Sequence, residues 1–274
     1  MASQWERLLK NQGVWQGSFT RLSPQGEVIA DIPTEVSLKA INQGDTMHQV
    51  VRKMPLDQPP EEQVYEYGSL GKGILFFEDG AFSQGSIQLG PFGDFGAELG
   101  FIAGDRRLRL VLIFQQDRSL KQLTLIREKR AGTDMPERSP LTMDALYGIW
   151  QGEAVTLYPD LSPAETYATT LAVQPAGADR VKQTLHIGEN RPPIQSEGTL
   201  QGTRLLFDQG SQQVQVLLLP DGASATCPVQ IQARQPLFLE VGWLLSDDRR
   251  QRLIRSYNAQ GGWVSLTLVT EQRI

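Results

Sequence analysis

Cysteine and histidine are nearly absent: the 274-residue chain carries one cysteine, Cys227, and two histidines, His48 and His186. A lone cysteine excludes an internal disulfide, and so few thiols and imidazoles exclude a structural zinc site. Long apolar runs are missing as well. Stretches such as Leu110 to Phe114 and Val216 to Leu219 fall far short of the roughly 18–20 residues that a membrane-spanning helix needs. Excess positive charge is lacking, and a net charge of −5 argues against a general nucleic-acid binder. No Asn-x-Ser/Thr acceptor occurs. The opening MASQWERLLK is charged where a secretory leader needs an uninterrupted apolar core. A reducing, cytoplasmic setting is therefore expected.

What the chain does have is an internal repeat. Gly13-Val-Trp15-Gln-Gly17 returns as Gly148-Ile-Trp150-Gln-Gly152. Glu98-Leu-Gly-Phe101 returns as Glu240-Val-Gly-Trp243, and Asp105-Arg-Arg-Leu-Arg-Leu110 as Asp248-Arg-Arg-Gln-Arg-Leu253. Leu123-Thr-Leu125, with Glu128 and Arg130, matches Leu266-Thr-Leu268, with Glu271 and Arg273. The four matches keep their order, with offsets drifting only from 135 to 143 residues. Such a pattern marks a duplication. The units run over residues 1–133 and 139–274, joined by a polar stretch with Gly132 and Pro136 that reads as a linker.

Within each unit nearly every signal is strand. Runs such as Glu35–Ile41, Ile74–Phe77, Leu108–Phe114, Val181–His186, Val214–Leu219 and Trp263–Thr270 alternate with Gly, Asp, Asn and Pro. Nine or ten evenly spaced strands per unit predict a closed, antiparallel up-and-down barrel. Helix is expected only at the entrances. Ser3-Gln-Trp-Glu6 is a capping box, with Gly13 as a stop. In the second unit Ser139 would cap, Pro140 would take the first helical position and Gly148 would stop.

Catalytic signatures are weak. There is no Gly-x-Ser-x-Gly elbow, since Gly80-Ala-Phe-Ser83-Gln-Gly85 misses the spacing. Gly68-Ser-Leu-Gly71-Lys-Gly73 lacks phosphate-loop spacing and precedes a strand, so a tight hairpin is expected there. Arg106-Arg107-x-Arg109 and Arg249-Arg250-x-Arg252 follow acidic residues at expected turns. They read as solvated turns, with a docking patch for an acidic partner as the alternative. Cys227 beside Pro228 reads as structural.

Gly13-x-Trp15 and Gly148-x-Trp150, with Arg130 and Arg273 ending the last strands, resemble the calycin (lipocalin-like) superfamily. That resemblance implies a Trp closing each barrel floor under a last-strand Arg, a cation–π contact of about 0.5–2 kcal/mol. Arg130 and Arg273 lie on the parity opposite to Leu125 and Leu268. Either the strand bulges, or Arg127 takes the role in the first unit. The double-barrel layout, Glu240-Val-Gly-Trp243 and Arg252-Leu-Ile-Arg-Ser-Tyr257 resemble a tandem-calycin family of cyanobacteria and chloroplasts, DUF3598. Its plant member is a biogenesis factor for the chloroplast ATP synthase. The resemblance implies a non-enzymatic protein without a cofactor or metal, with ATP-synthase head subunits as partners. Single-barrel relatives include the lyases that attach bilins to phycobiliproteins, a competing analogy.

Comparison of the copies singles out one pair. Leu112 and Phe114 align with Arg255 and Tyr257, each pair on one face of a strand. If Leu112 and Phe114 fill the first barrel, Arg255 and Tyr257 point into the second. Arg255 would then need a partner, either Glu240 on the preceding strand or the carboxylate of a ligand. Arg-x-Tyr on a late strand is how fatty-acid-binding calycins hold such a group. The expectation is a filled first barrel and a polar cavity in the second, taking a hydrophobic acid such as a fatty acid, carotenoid or tetrapyrrole. Val111 and Ile113 would then face outward, against the other barrel or against the N-terminal helix with Trp5 and Leu9.

Overall fold

The computed structural model describes residues 2–189 and 191–274. The first unit begins with helix α1 (Gln4–Leu8), and its capping box forms: Ser3 Oγ accepts from the Glu6 N–H while the Glu6 carboxylate accepts from the Ser3 N–H. Nine antiparallel strands follow: β1 (Gly13–Leu22), β2 (Val28–Ile41), β3 (Thr46–Lys53), β4 (Glu61–Tyr67), β5 (Ile74–Phe76), β6 (Phe82–Gly85), β7 (Phe95–Ala103), β8 (Arg106–Phe114) and β9 (Leu120–Arg130). They curl in the order β4-β3-β2-β1-β9-β8-β7-β6-β5, leaving β4 and β5 unpaired at a seam.

The second unit has ten strands: β10 (Gly148–Leu157), β11 (Glu165–Pro175), β12 (Arg180–Ile187), β13 (Ile194–Gln201), β14 (Arg204–Phe207), β15 (Val214–Leu218), β16 (Ala223–Pro228), β17 (Leu237–Ser246), β18 (Arg249–Tyr257) and β19 (Trp263–Arg273). These close into a barrel by pairing β19 with β10. The closed barrel expected of each unit thus forms in the second, while the first is a curled nine-stranded sheet whose end strands do not pair, in an almost all-β chain.

One strand separates the copies. In the second unit β14 bridges β13 to β15, whereas Gly68 to Gly73 runs across the seam of the first without forming the expected hairpin. Helix α1 stands beside that gap. The Gln4 carboxamide accepts from the Phe76 N–H at 2.6 Å and donates to the Phe76 carbonyl at 3.1 Å. It thereby satisfies the free edge of β5 as a neighbouring strand's peptide group would. The Trp5 indole N–H, meanwhile, donates to the Gly44 carbonyl.

No helix forms at the second entrance. The Ser139 carbonyl and the Leu141 N–H are bonded to Gly222 and Leu219, which holds the segment extended. Only one turn remains, with the Leu146 and Tyr147 N–H groups on the Met143 carbonyl.

Register decides which faces are inside. Trp15 is opposite Arg130 and Gly17 opposite Glu128, with no bulge along β1–β9. Because Glu128 is opposite Arg107, the inward residues of β8 are Arg107, Arg109, Val111 and Ile113. Leu108, Leu110, Leu112 and Phe114 therefore face the second barrel, where they join one buried cluster with Leu239, Val241, Trp243 and Leu253. This reverses the expected assignment of both pairs on that strand. It also explains the parity of Arg130: Leu125 belongs to the interface, so the strand needs no bulge.

The interface has an approximate two-fold relation. Phe101 and Trp243, which occupy equivalent positions in the repeat, meet across it with ring centroids 6.1 Å apart. Contact between equivalent positions is the mark of an isologous interface. Backbone hydrogen bonds stitch its edges, from the Leu89 N–H to the Gly261 carbonyl and from the Trp263 N–H to the Ile87 carbonyl.

Candidate functional site

The Gly-x-Trp-x-Gly strands close the floors of the two units alike. Trp15 and Trp150 are fully buried, and each indole N–H donates to a backbone carbonyl four residues upstream, Asn11 or Leu146, at 2.9 Å. Arg130 lies 4.4 Å from the Trp15 ring centroid, and Arg273 lies 4.7 Å from that of Trp150. A second arginine joins each ring, Arg107 at 4.7 Å and Arg250 at 4.5 Å. The glycines have separate causes. Gly13 has φ +129° and a Cβ there would strike the Arg130 guanidinium, while a Cβ on Gly17 would strike the Arg127 carbonyl. Arg127 faces outward, bonded to Ser18, Thr20 and Asp31.

Above each floor lies an ion network built on arginines expected in solvated turns. Glu128 accepts from Arg107 Nε at 2.6 Å and from Arg109 Nη2 at 3.0 Å, and Arg109 Nη1 reaches Glu98 at 2.7 Å. The second barrel repeats the arrangement with Glu271, Arg250, Arg252 and Glu240. Burial opposes the charge on Glu128, but the two guanidiniums outweigh it and hold its pKa at about 2. Glu271 is lowered by the same balance. Of the two triplets only Arg249 is exposed, so the expectation of a solvated turn holds for that residue and not for Arg107, Arg109, Arg250 or Arg252. Arg106 is also buried, paired with Asp221 across the interface. The signal was present in the sequence, because all four residues of each network fall within the repeated segments.

Arg255 and Tyr257 are not inside the second barrel. Both project from β18 into the interface. Arg255 donates to the carbonyls of Gly73 (3.2 Å), Gly85 (3.4 Å) and Ser86 (3.1 Å), to Ser83 Oγ (3.3 Å) and to Tyr257 Oη (2.7 Å). Tyr257 Oη donates to the Ser86 carbonyl, and the Trp263 ring centroid is 3.6 Å from the guanidinium carbon. The expected partner Glu240 belongs instead to Arg252. The inversion follows from the register described above: the residues equivalent to Leu112 and Phe114 face the other barrel, not their own.

The first unit, expected to be filled, holds open space. A cavity of about 590 Å³ opens beside the β4–β5 seam, within the ~300–1,000 Å³ range of small-molecule sites. Phe19, Val36, Leu38, Val51, Val111 and Ile126 form much of its wall, and Lys53, Gln49 and Gln63 stand among its polar groups. Val111 and Ile126 belong to strands β8 and β9, whose other face, with Leu110, Leu112, Leu123 and Leu125, builds the interface.

Comparison with known proteins follows this division. Residues 1–133 match the family model for the N-terminal domain of DUF3598, a domain of unknown function. Residues 137–274 match that for the C-terminal domain of biogenesis factor required for ATP synthase 1. A crystal structure of a DUF3598-family protein of unknown function from Nostoc punctiforme is 50% identical, with each chain wholly covered and a TM-score of 0.95. The S-type phycobiliprotein lyase CPES from Guillardia theta is a distant likeness, 12% identical over 48% of this chain and 89% of its own, with a TM-score of 0.36. Transferrin binding protein B from Haemophilus parasuis, as a Trp-to-Ala mutant, is 9% identical over 96% of this chain and 60% of its own, at 0.27. No curated protein matches the chain. No helix among the described residues is long and apolar enough to cross a membrane. The chain belongs to the DUF3598 family, as a DUF3598 N-terminal domain followed by an ATP-synthase biogenesis factor C-terminal domain.

Proposed function

We propose that this protein is a non-enzymatic assembly factor that binds subunits of the ATP-synthase head. The observation that carries the reading is the match of the entire second barrel to the C-terminal domain of a biogenesis factor required for ATP synthase. The side chains offer support, because groups suited to chemistry are engaged in holding the fold. Ser83 Oγ donates to the Glu98 carbonyl beneath the interface. The Cys227 thiol is buried and pushed up to about 12 by that burial, which suppresses the reactive thiolate. Glu128 and Glu271 are held between arginines.

The test uses purified ATP-synthase α and β subunits and the full-length chain. Saturable binding to one of them, together with loss of assembled head in cells lacking the gene, is the expected outcome. Normal head assembly in those cells, with no binding to either subunit, would overturn the proposal.

A further inference from the structure

We infer that the cleft between the β8–β9 and β18–β19 turns is a binding site for a phosphate-monoester dianion, held by one arginine from each barrel. The inference is separate from the assembly reading and from the interior of either barrel. The duplication builds the frame of this site. The two turns bond alike: the Gln115 and Asn258 N–H groups donate to the Ser119 and Gly262 carbonyls, and the Arg118 and Gly261 N–H groups donate back to the Gln115 and Asn258 carbonyls. Each turn is then gripped by the other barrel. The Leu89 N–H, from the β6–β7 loop, donates to the Gly261 carbonyl, and the Ile231 N–H, from the β16–β17 loop, donates to the Arg118 carbonyl. A cleft of about 570 Å³ lies where these four loops meet.

Charge identifies the occupant. Two of the residues that line the cleft are charged, Arg118 and Arg234, and none is acidic. Among the described residues no carboxylate lies within 4.0 Å of either guanidinium. Asp117, next to Arg118 in the chain, is occupied within its own turn, where it accepts from the Ser119 N–H at 2.8 Å, from Ser119 Oγ at 2.7 Å and from the Gln115 carboxamide at 3.3 Å. On a chain of net charge −5 the cleft is thus a local site of two uncompensated cations. Gln232, Gln235 and Gln260 add neutral donors to its wall. The Gln235 carboxamide oxygen accepts from Ser211 Oγ, which leaves its NH₂ group to donate. A phosphate suits this set better than a carboxylate, because its three oxygens accept from several directions and its two charges balance two arginines. The remaining volume takes the organic part of the ester.

The backbone gives independent support. Arg118 and Arg234 both stand in the left-handed region, with φ +68° and +58°, a conformation that glycine adopts without strain. Gly261 takes it in the equivalent turn at φ +79°, where a Cβ would come within 2.7 Å of the Leu89 Cβ. The first unit thus keeps a long cationic side chain at a turn position suited to glycine, and that side chain lines the cleft. Backbone strain of this kind gathers at binding sites.

Calorimetric titration of the full-length chain with glycerol 3-phosphate, inorganic phosphate, succinate and glycerol tests the site. Glycerol 3-phosphate is expected to bind once per chain, with inorganic phosphate competing more weakly for the same place and glycerol not binding. Succinate, whose two charges sit on separate planar groups, should bind about tenfold more weakly than the ester. Affinity for the ester should rise with pH through about 6, where the phosphate gains its second charge. Arg118→Gly, which gives the turn the residue of its counterpart, should keep the thermal midpoint and weaken the ester about tenfold, the effect of one charge-assisted contact. Arg118→Asn replaces it if the glycine form does not fold, and Arg234→Gly should weaken the ester to the same extent. Succinate or inorganic phosphate bound as tightly as the ester, unaltered affinity in either arginine variant, or no binding of any anion would overturn the inference. So would selective binding of a hexaglutamate peptide, which would make the cleft a contact for an acidic protein segment. ATP-synthase subunits take no part in these titrations, so failure here leaves the assembly reading untouched.

Discussion

Arg255 of the second barrel donates to the Ser86 carbonyl of the first at 3.1 Å, from a strand position whose repeat equivalent is Leu112. The duplication therefore produced complementary halves: an apolar residue on one side, and on the other a cation that satisfies the backbone of its neighbour. Arg255→Leu would leave the Gly73, Gly85 and Ser86 carbonyls without that donor. A loss of about 3–5 kcal/mol is expected, read as a lower urea midpoint for the full-length chain. Unchanged stability would mean that water replaces the guanidinium without cost.

Cys227 gives a direct report on the same interface. It belongs to the buried cluster shared by both barrels, and with a thiol pKa near 12 it should resist a disulfide reagent in the native state. Arg255→Leu should accelerate its labelling at neutral pH by loosening the interface. Rapid labelling of the native protein would contradict the burial.

Glu128 ties stability to pH. Its folded pKa of about 2 lies below the ordinary 4.5, so its contribution is complete above pH 4.5 and is lost as pH falls through 2. A shift of that size corresponds to roughly 3 kcal/mol. Glu271 is shifted in the same direction. Glu128→Gln should lower stability at neutral pH and flatten the acid limb of the stability profile. A variant that keeps the native slope between pH 4.5 and 2 would show that other carboxylates govern acid unfolding.

Gly13 and Gly148 share a left-handed backbone, with φ +129° and +126°. Alanine at either position should cost about 1–3 kcal/mol through strain. Gly13→Ala should cost more, because its Cβ also meets the Arg130 guanidinium, whereas at Gly148 the nearest Arg273 atom is 3.4 Å away. Thermal midpoints of the two variants provide the comparison.

The sequence by itself determined the duplication, the strand-rich content and the floor of each barrel. Those features rest on local rules, such as spacing between glycines, alternation along a strand and capping at Ser3. It also placed Arg255 and Tyr257 on one face of one strand. What alternation cannot reveal is which face is inside when both carry apolar residues, as on β8, where Val111 and Ile113 oppose Leu110 and Leu112. That choice depends on the register between distant strands, set by the pairing of Trp15 with Arg130 and of Arg107 with Glu128. Tertiary structure alone buried the paired arginines, because their compensation comes from carboxylates on other strands. It also decided the location of the cavity. In the second unit β14 completes the barrel, while in the first Gln4 of α1 satisfies the edge of β5 but leaves the space behind it open.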